Sequence, residues 1–292
     1  MAVSPWVWAG FVGFVLAMLA LDLGVFHRHT HEISMKEAAI WTCVWVGLAL
    51  CFAIGLWVFY GGDIAMLFVA GYFMEESLSV DNLFVIIAIF SYLKIPRRYQ
   101  HRVLFWGIIG ALLMRGGFVY LGVLLIERFD FVLYIFGVLL VMTGARIAIR
   151  SDDVFDPAEN RMIKLVRRFI PVTHELHGNR FFIMEHGTRH ATPLLLALIV
   201  IELTDVVFAV DSIPAIFGIT KIGFIVFTAT MMALLGLRSL YFLLAGTLDK
   251  FRFLHYGIAF ILVFIGVKML LESYWHPPIY LSLLMIVLGI GT

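Results

Sequence analysis

Charge is scarce in this sequence. Of its 292 residues only 14% are charged and 62% are hydrophobic, against about 25% and about 45–50% in soluble domains. A water-soluble globular fold is excluded. The few charges nearly cancel, to a net +1, which excludes the basic excess of a nucleic-acid-binding protein. Cysteine is limited to Cys43 and Cys51. They lie eight positions apart on one expected helix, about 12 Å along its axis, beyond the reach of a disulfide, and are expected to fill space between helices. No basic residue precedes the first apolar run, so no cleavable signal peptide is expected. A nucleotide-binding glycine loop and a phosphoryl-transfer motif are also missing, so ATP coupling within the chain is not expected. The GxGD motif of intramembrane aspartyl hydrolases is absent, and GGD at 61–63 falls in an outer loop. The chain does not read as an enzyme.

What is present is a succession of apolar runs of membrane-spanning length, which takes about 20 residues. Hydropathy places them at 6–26, 39–60, 64–93, 103–126, 131–149, 192–217, 223–248, 253–271 and 279–291. The last is short for a span. The expectation is an all-α polytopic membrane protein of about nine transmembrane helices. It divides into two N-terminal helices (1–62), a three-helix unit (63–149), a basic loop (150–191), a second three-helix unit (192–272) and a short C-terminal helix (273–292). Lys and Arg are distributed unevenly among the loops: fifteen fall in the first, third, fifth and seventh, and only Arg128 and Lys221 in the alternate ones. The positive-inside rule then predicts an outer N-terminus, a cytoplasmic C-terminus and a cytoplasmic, partly helical loop 150–191 whose basic face meets lipid head groups.

The two halves resemble each other. FDFVLYIFGVLLVMTGAR (129–146) aligns without a gap on FRFLHYGIAFILVFIGVK (251–268), matching Gly144 with Gly266 and Arg146 with Lys268. Upstream, Arg115 pairs with Arg238, Glu75 with Asp205, and SVDN (79–82) with AVDS (209–212), so that Asp81 meets Asp211. Helices 3–5 therefore recur as helices 6–8. An odd number of spans per unit makes this an inverted repeat, an architecture of secondary transporters that bind substrate near the membrane midplane.

The apolar runs carry misplaced acids. Segment three contains EESLSVDN, with Glu75, Glu76, Asp81 and Asn82; segment six contains Glu202, Asp205, Asp211 and Ser212. Each acid at a helix centre costs about 2.5–3.5 kcal/mol even on a lenient scale. Left bare, six of them would cost on the order of 15–20 kcal/mol, more than a whole protein's stability. Four intramembrane cations, Arg115, Arg146, Arg238 and Lys268, are available to pair with them as supporting ion pairs, which leaves negative charge over for a ligand. Glu75, Ser79 and Asn82 share one helical face, as do Asp205 and Ser212. Asp81 and Asp211 fall on another side, and a helix break near Pro214 is expected to re-aim Asp211 and free carbonyl ligands. Carboxylate, amide, hydroxyl and carbonyl form a hard-oxygen site, suited to Mg²⁺, Ca²⁺ or Mn²⁺. The candidate metal ligands are Asp81, Asp211, Glu75, Asp205, Glu202, Asn82 and Ser212. Asp22 reads as interfacial and Glu76 has no acidic counterpart, since Val206 aligns with it. HRHTH (27–31), HELH (174–177), His186 and His190 suggest a cytoplasmic metal-collecting surface, set against the commonness of exposed histidines. Trp6, Trp8, Tyr60, Tyr274 and Trp275 read as interfacial belt aromatics.

EESLSVDN, ELTDVVFAVDSIPAIF, LALDLGVFHR near the start and RFFIMEHGTRHATPLLLALIVIE before segment six together resemble the TerC family, especially its Alx-type members, over nearly the whole chain. The resemblance implies a bacterial inner-membrane protein of the wider LysE-like transporter group. It links the chain to manganese export and alkaline pH, and, through other members, to tellurium resistance. It also carries the family's acidic positions onto Glu75, Asp81, Glu202, Asp205 and Asp211. The expected function is export of Mn²⁺ by alternating access, with Ca²⁺ as a chemically equivalent ligand, protons as candidate counter-ion, and no prosthetic group. The rival reading is a non-transporting scaffold for membrane-protein assembly, or part of an envelope-stress complex, which would keep working with Asp81 and Asp211 neutralised.

Overall fold

The computed structural model of the chain describes residues 3–26, 34–129, 131–149, 163, 166, 173, 176, 178–185, 188–245, 254–271 and 279–290. The described residues form nine α-helices and one small hairpin: α1 (Pro5–Phe26), α2 (Met35–Tyr60), α3 (Gly62–Tyr92), α4 (Arg97–Arg128), α5 (Phe131–Ile149), β1 (Phe182–Glu185), β2 (Thr188–Ala191), α6 (Pro193–Phe217), α7 (Gly223–Leu244), α8 (Leu254–Leu270) and α9 (Ile279–Ile290). This is the all-α polytopic architecture expected, with each helix on one of the nine apolar runs.

Local chemistry sets the helix ends. Ser34 caps α2 by accepting from the Glu37 amide at 3.2 Å, the Ser-x-x-Glu arrangement of a capping box. Gly61, at φ 94°, turns the chain directly from α2 into α3, a conformation for which glycine is suited. Pro96 precedes α4, and Pro193 opens α6, where a missing amide costs nothing. The expected break near Asp211 does not occur: α6 runs unbroken to Phe217 and the Gly218 amide bonds back to the Pro214 carbonyl at 3.0 Å. Pro214 lies in the last turn, where little helix remains to be disrupted.

By length and composition α2, α4, α5, α6 and α7 can each cross a membrane. At 31 residues α3 is longer than most of them, and its acids alone disqualify it by composition. The outer faces are apolar: Leu16, Ile54, Val58, Leu113, Tyr120, Val138 and Met142 are all exposed, as expected of a surface solvated by lipid tails. Cys43 and Cys51 are exposed as well, so they sit on the outer face of α2 and not between helices. Of the aromatics expected at interfaces, Trp6 and Tyr60 are exposed, whereas Trp8 packs edge-on to Phe224 at 5.1 Å. Tyr274 and Trp275 lie outside the described residues.

The repeat is visible in the closest helix contact. A Cβ on Gly144 would stand 2.8 Å from the Ala259 carbonyl oxygen and from Val263; one on Gly266 would stand 2.8 Å from the Gly137 carbonyl oxygen and from Val141. The aligned sequences match Gly144 with Gly266, Ala259 with Gly137 and Val263 with Val141, so these are one contact seen twice. As numbering rises along α5 it falls along α8, so the helices are antiparallel. A two-fold axis perpendicular to them relates the units, which lies in the membrane plane and makes the repeat inverted. The same operation pairs the packing of α3 on α7 with that of α6 on α4. Helices α1 and α2 cover α3 and α7 from outside the repeat, and α9 lies on α3 and α8. Helix α7 is buried along most of its length, including Thr228, Thr230 and Arg238, and forms the centre of the bundle.

Candidate functional site

Three charged side chains meet at the middle of the bundle. Arg115, near the midpoint of α4, is 1% exposed. Its Nη1 donates to Glu75 Oε2 at 2.8 Å, while Nη2 and Nε donate to the two carboxylate oxygens of Asp205 at 2.8 and 3.2 Å. The other Glu75 oxygen accepts from Thr230 of α7 at 3.1 Å. One planar guanidinium thus joins a carboxylate from each repeat, a task its rigid fork performs and a lysine ammonium does not. Glu75 and Asp205 are the residues the repeat aligns, and each sits near the midpoint of its own helix. The two-fold axis brings them to a shared partner. With its amide oriented to satisfy its neighbours, Asn82 accepts from Arg115 Nη2 at 3.1 Å and donates to the Leu78 carbonyl at 3.2 Å.

Beside this triad a cleft opens between α4 and α6. Asn82 and Ile86 of α3, Gly107 and Ala111 of α4, Glu202, Thr204, Asp205 and Phe208 of α6, and Leu237 of α7 are among the residues lining it. Both repeats therefore contribute walls. The Glu202 carboxylate lies against Gly110, one turn before Asp205. Glu202 makes no hydrogen bond or ion pair among the described residues. The triad carries two negative charges against one positive; with Glu202 the imbalance at the cleft grows by another.

The remaining candidates stand elsewhere. Asp211 accepts from Thr143 Oγ1 of α5 at 2.8 Å and feels the charge of Arg146; neither Asp211 nor Asp81 lines the cleft. Asp81 is half-buried and has no polar partner among the described residues. The Ser79 and Ser212 hydroxyls are buried with no hydrogen-bond partner there. Lys268 Nζ donates to Ser282 of α9 at 3.1 Å, and Arg238 is buried in α7. Glu76 faces Gly236 and, through it, the α2 side of α7. Among the described residues no three of His, Cys, Asp and Glu cluster closely enough to hold a metal ion by themselves, so a cation in the cleft would complete its shell with amide, hydroxyl or water oxygens. HRHTH, the histidines of HELH and His186 lie outside the described residues, as does the side chain of Asp22.

Thr143, Thr230, Gly107 and Gly110 were not legible as site residues. The signal was weak: two hydroxyls and two glycines inside apolar runs, where such residues more often serve helix packing.

Comparison with known proteins agrees with this architecture. The chain is 48% identical over 280 residues, 96% of its length, to a membrane protein of Myxococcus xanthus, covering 88% of that protein. It is 43% identical over 285 residues, 94% of its length, to Alx of Photorhabdus laumondii, which is described as a proposed membrane-bound redox modulator, and covers 89% of it. A membrane protein of Rickettsia bellii is 39% identical over 276 residues, 94% of this chain and 91% of its own. No solved structure matches significantly. The model of the integral membrane protein TerC family matches residues 60–292, the whole of both repeats. The chain belongs to the TerC family of integral membrane proteins.

Proposed function

We propose that the chain is a secondary transporter that exports a divalent cation, Mn²⁺ in the first instance, from the cytoplasm by alternating access. The observation that carries this reading is Glu202: a carboxylate without a partner among the described residues, in a cleft walled by both inverted repeats, one turn from an acid already held by arginine. Intramembrane acids are functional in general, and inverted repeats with a midplane site are the working parts of many transporters. Glu202 and Asp205 are the first ligands in this reading, with Asn82 supplying an amide oxygen. Asp81, next in the chain to Asn82, and Asp211 and Ser212, farther along α6, are further stations on the path. The all-oxygen set favours a hard cation; Mn²⁺ over Ca²⁺ rests on the family resemblance.

The cleft lies toward the α3–α4 connection, in the first half of α4 and of α6. In the proposed orientation, with the N-terminus outside the bacterial inner membrane, that half faces the cytoplasm, the side from which an exporter loads. A carboxylate that gives up its cation outside can take up a proton, since ligand binding and protonation compete. Proton exchange is therefore the proposed drive.

The test is Mn²⁺ flux in proteoliposomes under an imposed pH gradient. Expected are flux that follows the gradient in wild type and near-complete loss in Glu202→Gln with normal insertion. Flux indifferent to the gradient removes the coupling; undiminished flux in Glu202→Gln removes the site.

The description carried by Alx proteins favours a second reading, redox modulation. Cys43 and Cys51 are too far apart on α2 to form a disulfide with each other. If a direct thiol role operated, replacing both by alanine would abolish function; in the transport reading the double replacement is silent.

A further inference from the structure

We propose that Gly110 is a positioning residue of the cation site: by omitting a side chain, α4 lets the Glu202 carboxylate rest against its backbone and face the cleft beside Asp205. This inference rests on the cation-transport reading.

A Cβ built on Gly110 would collide with Glu202, its carboxylate oxygens and carbon being the nearest atoms. One turn earlier, a Cβ on Gly107 would stand 3.8 Å from Glu202 Oε1. The two glycines therefore form a notch, and the tip of the acid occupies it. Glycine is the poorest helix former after proline, so two of them one turn apart in a long membrane helix call for a reason. Helix–helix contact is the usual one, and in this bundle it is made against a backbone carbonyl at Gly144 and Gly266, at 2.8 Å, and against apolar side chains at Gly71 and Gly122. At Gly107 and Gly110 no backbone atom is among the nearest neighbours, which are side chains of α6. What fills the notch at Gly110 is the carboxylate itself.

That carboxylate receives nothing in return. Inside an α-helix the α4 amides are committed to carbonyls one turn back, and no side-chain donor reaches Glu202 among the described residues. Glu75 and Asp205 are neutralised in part by Arg115; Glu202 is held by shape alone and keeps its oxygens for an incoming cation. Alanine at Gly110 would displace only the flexible end of one side chain, so the fold should tolerate it while the ligand moves.

The test is a double-mutant cycle on the purified full-length chain, reading Mn²⁺ affinity by calorimetry and metal-free melting temperature together. Expected for Gly110→Ala are an unchanged metal-free melting temperature and an affinity weakened roughly tenfold or more. In a Glu202→Gln background the same replacement should cost nothing further. Gly117→Ala, at a position with open space around it, should bind as wild type. Wild-type binding with an unaffected Gly110→Ala overturns the glycine's role and leaves the transport reading standing. An equal loss in the Glu202→Gln background overturns it too, by showing that the glycine acts on packing. No Mn²⁺ binding in wild type overturns both.

Discussion

Arg115 decides what the buried acids cost. Two carboxylates in the middle of a membrane protein would be ruinous alone, and a guanidinium fully enclosed between them would be too; together they satisfy one another through three charge-assisted hydrogen bonds. Removing one member of such a cluster strands the others, at about 3–5 kcal/mol. Arg115→Gln should therefore lower the melting temperature of the purified protein by many degrees or prevent its isolation. Arg115→Lys, which keeps the charge but cannot grip Asp205 with two donors, should fall in between. An Arg115→Gln protein that melts like wild type would show that the ion pairs contribute nothing. Much of the cluster's membership was legible in the sequence, because Glu75, Asp205, Glu202, Asn82 and Arg115 are conspicuous in apolar runs. Which acid meets which cation was not. A count of six acids against four cations says that some charge is left over, but only the crossing of α3, α4 and α6 assigns Arg115 to Glu75 and Asp205 and leaves Glu202 without a partner among the described residues.

At the scale of elements, the helices themselves were readable, since each is an apolar run bounded by Pro, Gly or charge. The errors came where position within a helix mattered more than residue type. Pro214 suggested a break beside Asp211; placed in the final turn of α6, it leaves that helix unbroken through Asp211, which accepts from Thr143 of α5. Cys43 and Cys51 looked like packing residues, yet the helical face they occupy is the lipid-facing one. In the loop read as partly helical, Ile163 and Val166 are helical, but the β1–β2 hairpin was missed, because its two four-residue strands carry little periodicity to detect. The α5–α8 contact yields a prediction that the sequence alignment alone could not make quantitative. Alanine at Gly144 or at Gly266 would push a Cβ into a backbone carbonyl, which cannot move aside as a side chain can. Each should destabilise by about 1–3 kcal/mol, and by similar amounts, because the two sites are one contact related by symmetry. Gly10→Ala, with nothing within 4 Å, serves as the control. Unequal effects, or none, in thermal unfolding would argue against the two-fold relation at this interface.

For the molecule as a whole, the inverted repeat relates an open contact to a closed one. The cleft lies between α4 and α6 on the half of the bundle that contains the α3–α4 connection. Its symmetry mate is the contact of α3 with α7 on the opposite half, where a Cβ on Gly71 would stand 3.3 Å from that of Ala229. Alternating access requires this second contact to part when the first one closes. Gly71→Cys with Ala229→Cys, in a chain whose own cysteines are replaced by alanine, should cross-link under oxidation, halt Mn²⁺ flux and recover it on reduction. Full flux through the cross-linked protein would mean that α3 and α7 need not separate.

The central claim, that Glu202 waits in the cleft for a hard divalent cation, is tested most directly by melting purified wild type and Glu202→Gln against rising Mn²⁺. Wild type should gain stability steadily, by about 2.7 kcal/mol once Mn²⁺ reaches a hundred times its dissociation constant. Glu202→Gln should start from the same metal-free melting temperature and respond only at far higher Mn²⁺ concentrations. A wild-type curve that remains flat, or a Glu202→Gln curve that climbs alongside it, would contradict the account.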